Sequence, residues 1–183
     1  MMNRQLDENL VGNEIWIGHN NGEVDMLLGT QKSWLQHVRM DTPVVPYAMC
    51  CVDGYIWIGD NTGQLHIYLG SNFGCVGNFK LESDNKKELK IVSLVYLEQL
   101  KHFAVALHSG KVLLVANSFT QPRKIDLVES SNNNVKTYSL AVVPIKRRII
   151  ELWAGRSFGR ISVYTLKDST IINTVVIIQN CSL

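Results

Sequence analysis

The chain lacks the sequence features that mark several large enzyme classes and membrane proteins. It has no GxSxG turn of serine hydrolases, no phosphate-binding P-loop and no Rossmann glycine pattern. No apolar run approaches the ~20 residues that a membrane-spanning helix needs, and the polar start, Met1 to Gln5, is unlike a secretory signal. We therefore expect a cytoplasmic protein that has no membrane span and is not an enzyme.

Cysteine and histidine are present but are not spaced as metal ligands. The four cysteines, Cys50, Cys51, Cys75 and Cys181, form no CxxC motif, and no histidine lies in an HxH or HExxH pattern. Adjacent Cys50 and Cys51 would point to opposite faces of a strand and could not readily share one metal. We expect buried free thiols in a reducing compartment, with no metal, no cofactor and no catalytic residue.

Charge of one sign is not in excess. The chain has 18 basic and 16 acidic residues and a net charge of +2, which does not favour nucleic acid or an anionic membrane surface as a partner. The longest basic run, Lys146 to Arg148, is interpreted as a solvated turn, with a phosphate-binding patch as the alternative. Apolar residues make up 46% of the 183 residues, enough for one domain with a hydrophobic core.

What the chain does contain is a unit repeated four times. In each copy an apolar run is followed by a short polar segment, a glycine and a second apolar run. The glycines recur at spacings of 41, 47 and 49 residues, which fits one four-stranded propeller blade per repeat. The four copies are 15–27, 56–68, 103–115 and 152–164, with the repeated glycine at Gly22, Gly63, Gly110 and Gly159.

Alternation of residue types predicts strands rather than helices. Apolar and polar residues alternate with period two on both sides of the glycine, so each unit reads as strand, tight hairpin, strand. Further apolar segments supply an inner strand before the unit, at 47–52, 90–97 and 137–143 (the last closed by Pro144), and an outer strand after it, at 34–38, 74–81, 123–128 and 171–178. The predicted fold class is all-β, a β-propeller, with a polar N-terminal segment at 1–13 and blades at about 14–41, 42–85, 86–134 and 135–183.

Tryptophan recurs at one place in the repeat. Trp16, Trp57 and Trp153 are equivalent, and Ala104 replaces them in the third copy. Repetition at one position favours packing between neighbouring blades, and an exposed binding hot spot is the alternative.

The units IWIGHNNGEV, IWIGDNTGQL and LWAGRSFGRI resemble the blades of divergent WD-repeat propellers, without the usual Gly-His and Trp-Asp dipeptides. Ile56 to Ser118 resembles the C-terminal propellers of Rho guanine-nucleotide exchange factors and of JNK-interacting scaffold proteins. The WD-like domain of leucine-rich-repeat (Roco) kinases has comparable blades. The resemblance implies a binding or scaffold domain within a larger intracellular signalling protein, and it carries over no catalytic residue.

Such propellers have about seven blades, whereas four WD-like blades are recognised here. We therefore expect a partial ring or a fragment of a seven-bladed propeller, or self-association through open blade edges, because an open arc exposes apolar blade faces. A compact four-bladed binding protein and a propeller enzyme with a central-channel site are the alternatives.

A partner is expected at the rim formed by the repeated hairpins, because their residues differ between copies while the flanking strands stay alike. Variation without function is the alternative interpretation. The expected partner is a protein, a peptide or another domain of the same polypeptide. The candidate residues are His19, Asn20, Asn21, Asp60, Asn61, Thr62, His108, Ser109, Arg156, Ser157 and Phe158, with Phe158 beside Arg156 as the leading hot spot.

Overall fold

The computed structural model describes residues 14–28, 33–39, 44–70, 74–81, 89–119, 124–127 and 135–178. These residues form fifteen β-strands and no helix. The predicted N-terminal segment at 1–13 and Cys181 lie outside them. The chain divides into two compact units, Met1–Pro46 and Tyr47–Leu183.

The first unit contains one antiparallel sheet, the first blade. Its strands β1 (Glu14–Gly18), β2 (Glu23–Leu28) and β3 (Ser33–Arg39) pair in the order in which they follow along the chain. Val24 and Met26 are buried, and they lie in register with Gly18 and Trp16. These two buried apolar side chains therefore lie on one face of the sheet.

The second unit contains three four-stranded antiparallel sheets, each in simple chain order. Neighbouring strands pair because short turns join them, so each sheet is a meander from an inner to an outer strand. The second blade comprises β4 (Pro46–Val52), β5 (Tyr55–Asp60), β6 (Gln64–Leu69) and β7 (Cys75–Lys80). The third comprises β8 (Ile91–Leu97), β9 (His102–Leu107), β10 (Val112–Ala116) and β11 (Lys124–Leu127), and the fourth β12 (Thr137–Lys146), β13 (Ile149–Arg156), β14 (Arg160–Lys167) and β15 (Thr170–Ile178).

The repeated glycine closes the hairpin between the second and third strands of a blade. All four copies have positive φ, as the repeat predicts, from 65° at Gly159 to 97° at Gly110. At Gly110 a second constraint applies, because a Cβ there would lie 2.0 Å from the carbonyl oxygen of Val135. The hairpin of the third blade therefore packs closely against Val135, which precedes the first strand of the fourth blade.

Apolar residues from facing sheets form two cores in the second unit. Between the second and third blades, Trp57 and Ile67 pack with Phe103 and Val105. The ring of Trp57 is 1% exposed, and its centroid lies 4.3 Å from that of Phe103. Between the third and fourth blades the core includes Ala104, Leu114, Leu152 and Tyr164. A third-blade strand therefore points alternate side chains into two different cores, as period two requires.

The three equivalent tryptophans do not share one environment. Trp57 packs between blades, which confirms the prediction at that position. Trp16 and Trp153 are only half-buried. The burial of Trp153 differs from that of Trp57 for a geometric reason. Trp57 packs against the blade that follows its own, whereas Trp153 belongs to the last described sheet. Its indole Nε1 donates to the carboxylate of Glu151 at 3.0 Å.

Two expectations from the sequence are wrong. Pro144 does not close the inner strand, since β12 continues to Lys146 with a register shift beside Pro144. Proline is tolerated there because β12 is an edge strand of its sheet. The second is the burial of the thiols: of the three described cysteines, Cys51 and Cys75 are exposed and Cys50 is half-buried. Desolvation is the main cause that raises the pKa of the Cys50 thiol.

The position of Trp57 between two sheets gives a stability prediction. Trp57→Ala should lower the free energy of unfolding by about 3–5 kcal/mol, because it leaves a cavity beside Phe103. The measurement is urea denaturation followed by circular dichroism. Trp153→Ala is the matched control and should cost less, since its side chain is half-buried. An unchanged midpoint for Trp57→Ala would show that the ring does not hold these sheets together.

Candidate functional site

In the second unit, the repeated hairpins and the chain before each inner strand meet at one end of the sheets. We call this surface the hairpin rim and define it as residues 60–64, 89–90, 107–112, 135–136 and 156–160. Backbone hydrogen bonds tie it together: the His108 amide donates to the Lys90 carbonyl at 2.8 Å, and the Ser157 amide donates to the Lys136 carbonyl at 2.9 Å. Its loops are therefore anchored to the blades that carry them.

The hairpin of the first unit is described separately. Asn20 and Asn21 are exposed, and the Asn21 side-chain amide donates to the Glu23 carboxylate at 2.5 Å. His19 is partly buried, and its Nε2 lies 2.8 Å from Oδ2 of Asp25 on the following strand. These three candidate residues thus divide into two exposed amides and one histidine that braces its own hairpin.

Asp60 organises the hairpin of the second blade. Its buried carboxylate accepts hydrogen bonds from the backbone amides of Thr62 (2.7 Å) and Gln64 (2.8 Å) and from the Thr62 hydroxyl (2.9 Å), and it lies 2.9 Å from Nε2 of His66. Burial by itself would raise the pKa of Asp60. The hydrogen bonds from His66, Gln64 and Thr62 outweigh that effect, so the pKa lies below its usual value.

This arrangement stabilises the turn, because one carboxylate accepts hydrogen bonds from two backbone amides and from the Thr62 hydroxyl. Among the residues that the structure describes, no three His, Cys, Asp or Glu side chains are grouped to hold a metal ion. Asp60, one of the candidate partner-binding residues, is thus buried and stabilises the fold of its own hairpin.

The same cross-strand position carries different chemistry in each blade. The pair Asp60 and His66 in the second blade has its counterpart in His19 and Asp25 of the first, with the two residue types exchanged. In the third blade both positions are buried leucines, Leu107 and Leu113. The candidate residues include His19 and Asp60 but not their partners Asp25 and His66. The signal that could have found these pairs is the constant separation of six residues across the repeated glycine.

Arg156 occupies this position in the fourth blade and is buried rather than exposed. Its guanidinium donates to the Gly110 carbonyl at 3.0 Å and to the Tyr164 hydroxyl. Thr137 also donates to the Gly110 carbonyl, at 3.1 Å. Arg156 thus joins the third blade's hairpin to the fourth blade, and its side chain is buried in this contact.

Phe158, at the tip of the fourth blade's hairpin, is fully presented to solvent. Its residue is 74% exposed, the highest value among the exposed large hydrophobic residues described. Its φ is 61°, in the left-handed region that bulky side chains rarely adopt. Ser157, by contrast, accepts a hydrogen bond from the Lys136 amide at its hydroxyl, at 3.0 Å, which anchors the base of the tip.

Two exposed tyrosines, which sequence analysis assigned only to inner strands, stand beside the rim. Tyr138 makes an edge-on contact with His108, with ring centroids 5.9 Å apart. The ammonium group of Lys90 lies 4.0 Å from the ring centroid of Tyr47. Both tyrosines are the second residue of their inner strand, and this shared position is the signal that could have found them.

The remaining candidates are half-buried: Asn61 and Thr62 on the second blade and Ser109 on the third. The charged residues of the hairpin rim are almost all basic. Those at least partly exposed are Lys90, Lys111, Lys136 and Arg160, whereas Arg156 and the carboxylate of Asp60 are buried. The rim therefore combines exposed aromatic side chains with positive charge, which the near-neutral composition of the whole chain does not show.

No family model and no curated protein sequence matches the chain. Solved structures do match it. The computationally designed Ika8 protein is 14% identical with a TM-score of 0.61, over 90% of this chain and 46% of that protein. BamB from Moraxella catarrhalis, a β-propeller, is 14% identical with a TM-score of 0.57, over 89% of this chain and 45% of BamB. The chain spans less than half the length of each, and its fold is that of a β-propeller.

None of the residues that the structure describes lies in a helix long and apolar enough to cross a membrane. The regular structure in which the rim residues lie consists of strands and their turns.

The lowered pKa of Asp60 predicts how acid affects stability. Asp60→Asn should lower the free energy of unfolding at neutral pH by about 1–3 kcal/mol, because buried hydrogen-bonding groups lose their partner. The carboxylate stabilises the fold above its unfolded pKa of about 3.9 and loses this effect as pH falls through the lower folded pKa. The difference between wild type and variant should therefore narrow below about pH 4.

Urea midpoints measured from neutral to acidic pH test this dependence. Asp168→Asn is the matched control, since Asp168 is an exposed carboxylate in the turn at the other end of the fourth blade. A difference between wild type and Asp60→Asn that stays constant to low pH would contradict the role given to the carboxylate.

Proposed function

We propose that this chain is a non-catalytic protein-interaction module and that a protein or peptide partner binds at the hairpin rim around Phe158. The observation that carries the proposal is the combination of high exposure and positive φ at one aromatic residue. An aromatic side chain that the fold holds in solvent loses little conformational freedom when it enters a partner's pocket, which is typical of a binding hot spot.

Backbone strain at Phe158 supports the same proposal. A left-handed conformation costs a bulky L-residue about 1–2 kcal/mol, and glycine would occupy the position without that cost. Apart from Phe158, Ser157 and Gly159 complete the turn, so the folding of this hairpin does not require an aromatic residue at its tip. Strained residues of this kind concentrate at functional sites.

Charge and ring chemistry indicate the class of partner. Lys90, Lys111, Lys136 and Arg160 surround the rim, and Tyr138 and Tyr47 add exposed aromatic area. Basic side chains near the surface favour acidic partners and accelerate their association. We propose a segment with one apolar anchor side chain flanked by aspartate or glutamate.

The biological setting is proposed from the blade sequences. Their resemblance to the propellers of Rho exchange factors, JNK scaffolds and Roco kinases supports a scaffold or regulatory role in a cytoplasmic signalling protein. In that setting the partner is another protein or another domain of the same polypeptide. The β-propeller fold is compatible with a binding role but does not choose among these families.

The test is peptide selection against the full chain from a random display library, followed by fluorescence polarisation with a selected peptide. We expect acidic peptides with one apolar anchor, binding that weakens with added salt, and at least about a tenfold loss of affinity in Phe158→Gly. The melting temperature of Phe158→Gly should be equal to or higher than that of wild type, because glycine relieves the positive φ.

Asp168→Gly is the matched control, since Asp168 also has positive φ (48°) but lies in the turn at the opposite end of β14. It should leave peptide binding unchanged. Arg156→Ala is unsuitable as a binding variant, because it breaks the hydrogen bonds that join two blades. Selected peptides that bind Phe158→Gly as tightly as wild type would place the partner elsewhere.

A further inference from the structure

The fourth blade carries a concentration of basic residues at the end of its sheet opposite to the hairpin rim. Two turns lie at this end: one joins β12 to β13 at 147–148, and the other joins β14 to β15 at 168–169. We call residues 144–149 and 166–172 the basic end. Its charged residues are four cations and one anion, all exposed: Lys146, Arg147, Arg148, Lys167 and Asp168.

The same end of the second blade is not basic. The segments that join its strands there, 53–54 and 70–74, contain one charged residue, Asp53. The balanced composition of the whole chain therefore conceals a difference between blades. The expectation drawn from net charge, that an anionic membrane surface is not a favoured partner, does not describe the charge at the basic end.

Two β-bulges at the basic end each place an isoleucine in solvent. The register of β12 against β13 shifts between Pro144 and Lys146, so that Ile145 is the extra residue of β12. Ile172 is likewise the extra residue of β15 in its pairing with β14. These isoleucines are 47% and 55% exposed. A bulge changes the direction of a side chain, and bulges are frequent beside functional sites.

Comparison with the other blades separates what belongs to the repeat from what belongs to this end. The second blade also has a bulge in its outer strand, where Val76 is the extra residue and is 42% exposed. The bulge at Ile145 has no counterpart in the third blade, because Tyr96 and Leu97 pair with β9 without a shift. The fourth blade therefore adds a second exposed isoleucine, and it adds the basic residues around both.

Neighbouring blades cover the faces of a sheet and leave the turns at its ends accessible. In the third blade, Phe103 and Ala104 of β9 are buried in two different cores. Lys101, in the turn that precedes β9, is exposed nonetheless. The accessibility of the basic end therefore does not depend on what packs against the faces of the fourth blade.

We propose that the basic end binds an anionic lipid surface. Lys146, Arg147 and Lys167 contact the lipid phosphates, and Ile145 and Ile172 enter the apolar layer beneath them. Each basic side chain near an anionic membrane strengthens binding by about fivefold. Apolar side chains strengthen it further when they leave water at the boundary between headgroups and acyl chains.

The exposed isoleucines favour a membrane over other anionic partners. A phosphorylated peptide or a nucleic acid would engage the cations but has no apolar layer to take up Ile145 and Ile172. Arg148 contributes less to the proposed contact than its neighbours, because its guanidinium lies 3.7 Å from the Asp168 carboxylate.

Flotation of the full chain with lipid vesicles tests the charge requirement. We expect binding to phosphatidylcholine vesicles that contain phosphatidylserine, no binding to phosphatidylcholine alone, and release by added salt. Arg147→Glu should lower the affinity by at least about tenfold, because repulsion replaces attraction. Lys80→Glu is the matched control, since Lys80 is an exposed lysine that pairs with Gln64 at the other end of the second blade. It should bind vesicles like wild type.

A second pair of variants tests the apolar requirement. Ile172→Ser should weaken vesicle binding by at least about fivefold, because it removes apolar surface that leaves water on binding. Val76→Ser makes a comparable change at the equivalent bulge of the second blade, whose end is not basic, and should bind like wild type. If Ile172→Ser does not melt cooperatively, Ile145→Ser takes its place.

Three results would overturn the proposal: no binding to anionic vesicles, equal loss in Arg147→Glu and Lys80→Glu, or undiminished binding by Ile172→Ser. A fourth is a chain that does not bind vesicles but binds a phosphoserine peptide, with that binding lost in Arg147→Glu. This result would assign the basic end to a phosphorylated protein.

The inference concerns the end of the blades opposite to the proposed partner site. Arg147→Glu should therefore still bind the selected peptides, and Phe158→Gly should bind vesicles like wild type. Loss of vesicle binding in Phe158→Gly would place the membrane contact at the hairpin rim and overturn the inference, whereas loss of peptide binding alone would leave it intact.

Discussion

The second unit depends on one constraint: when both faces of a four-stranded sheet are apolar, other residues must pack against both faces to remove them from water. The third blade satisfies it most completely, because Phe103 and Val105 point into one core while Ala104 and Leu114 point into the other. Side-chain size is distributed between the two faces of a blade: the third blade has Ala104 at the position of Trp57, and the adjacent Phe103 on the other face packs against the Trp57 ring in a tilted contact. The distance between blades is thus shared by residues of two neighbouring repeats rather than set by one.

The fold was largely predictable from the sequence because a tight hairpin favours glycine at one position of its turn. The glycines at Gly22, Gly63, Gly110 and Gly159 were recognisable by their spacing, and each has the positive φ that made the spacing informative. The environment of Trp153 was not predictable from its equivalence to Trp57, since burial depends on which sheet lies opposite and not on the repeat itself. The strand end predicted at Pro144 was wrong for a related reason. Only the pairing of β12 shows that it is an edge strand, in which proline is tolerated.

The candidate site was less predictable than the fold. A polar residue in a hairpin is ordinarily predicted to be exposed. Asp60 and Arg156 are buried instead, because each forms hydrogen bonds with backbone or side-chain groups around it. Phe158 was identified from its residue type at a turn tip, and the structure adds its strained backbone. Tyr47 and Tyr138 were missed because their side chains lie on inner strands, where apolar residues ordinarily pack. The basic character of the rim emerges only when residues from four separate segments of the chain are brought to one end.

The His–Asp pairs of the first and second blades have a consequence for how similar repeats avoid pairing with the wrong strand during folding. Chains built from similar units misassemble when a strand of one unit pairs with a strand of another. Here a β6-like strand bearing histidine meets aspartate in its own hairpin, whereas in the third blade it would meet leucine and in the first another histidine. The polar pair of the second blade therefore disfavours one exchange, because its strand paired in the third blade would place the His66 imidazole against Leu107, which cannot hydrogen-bond to it.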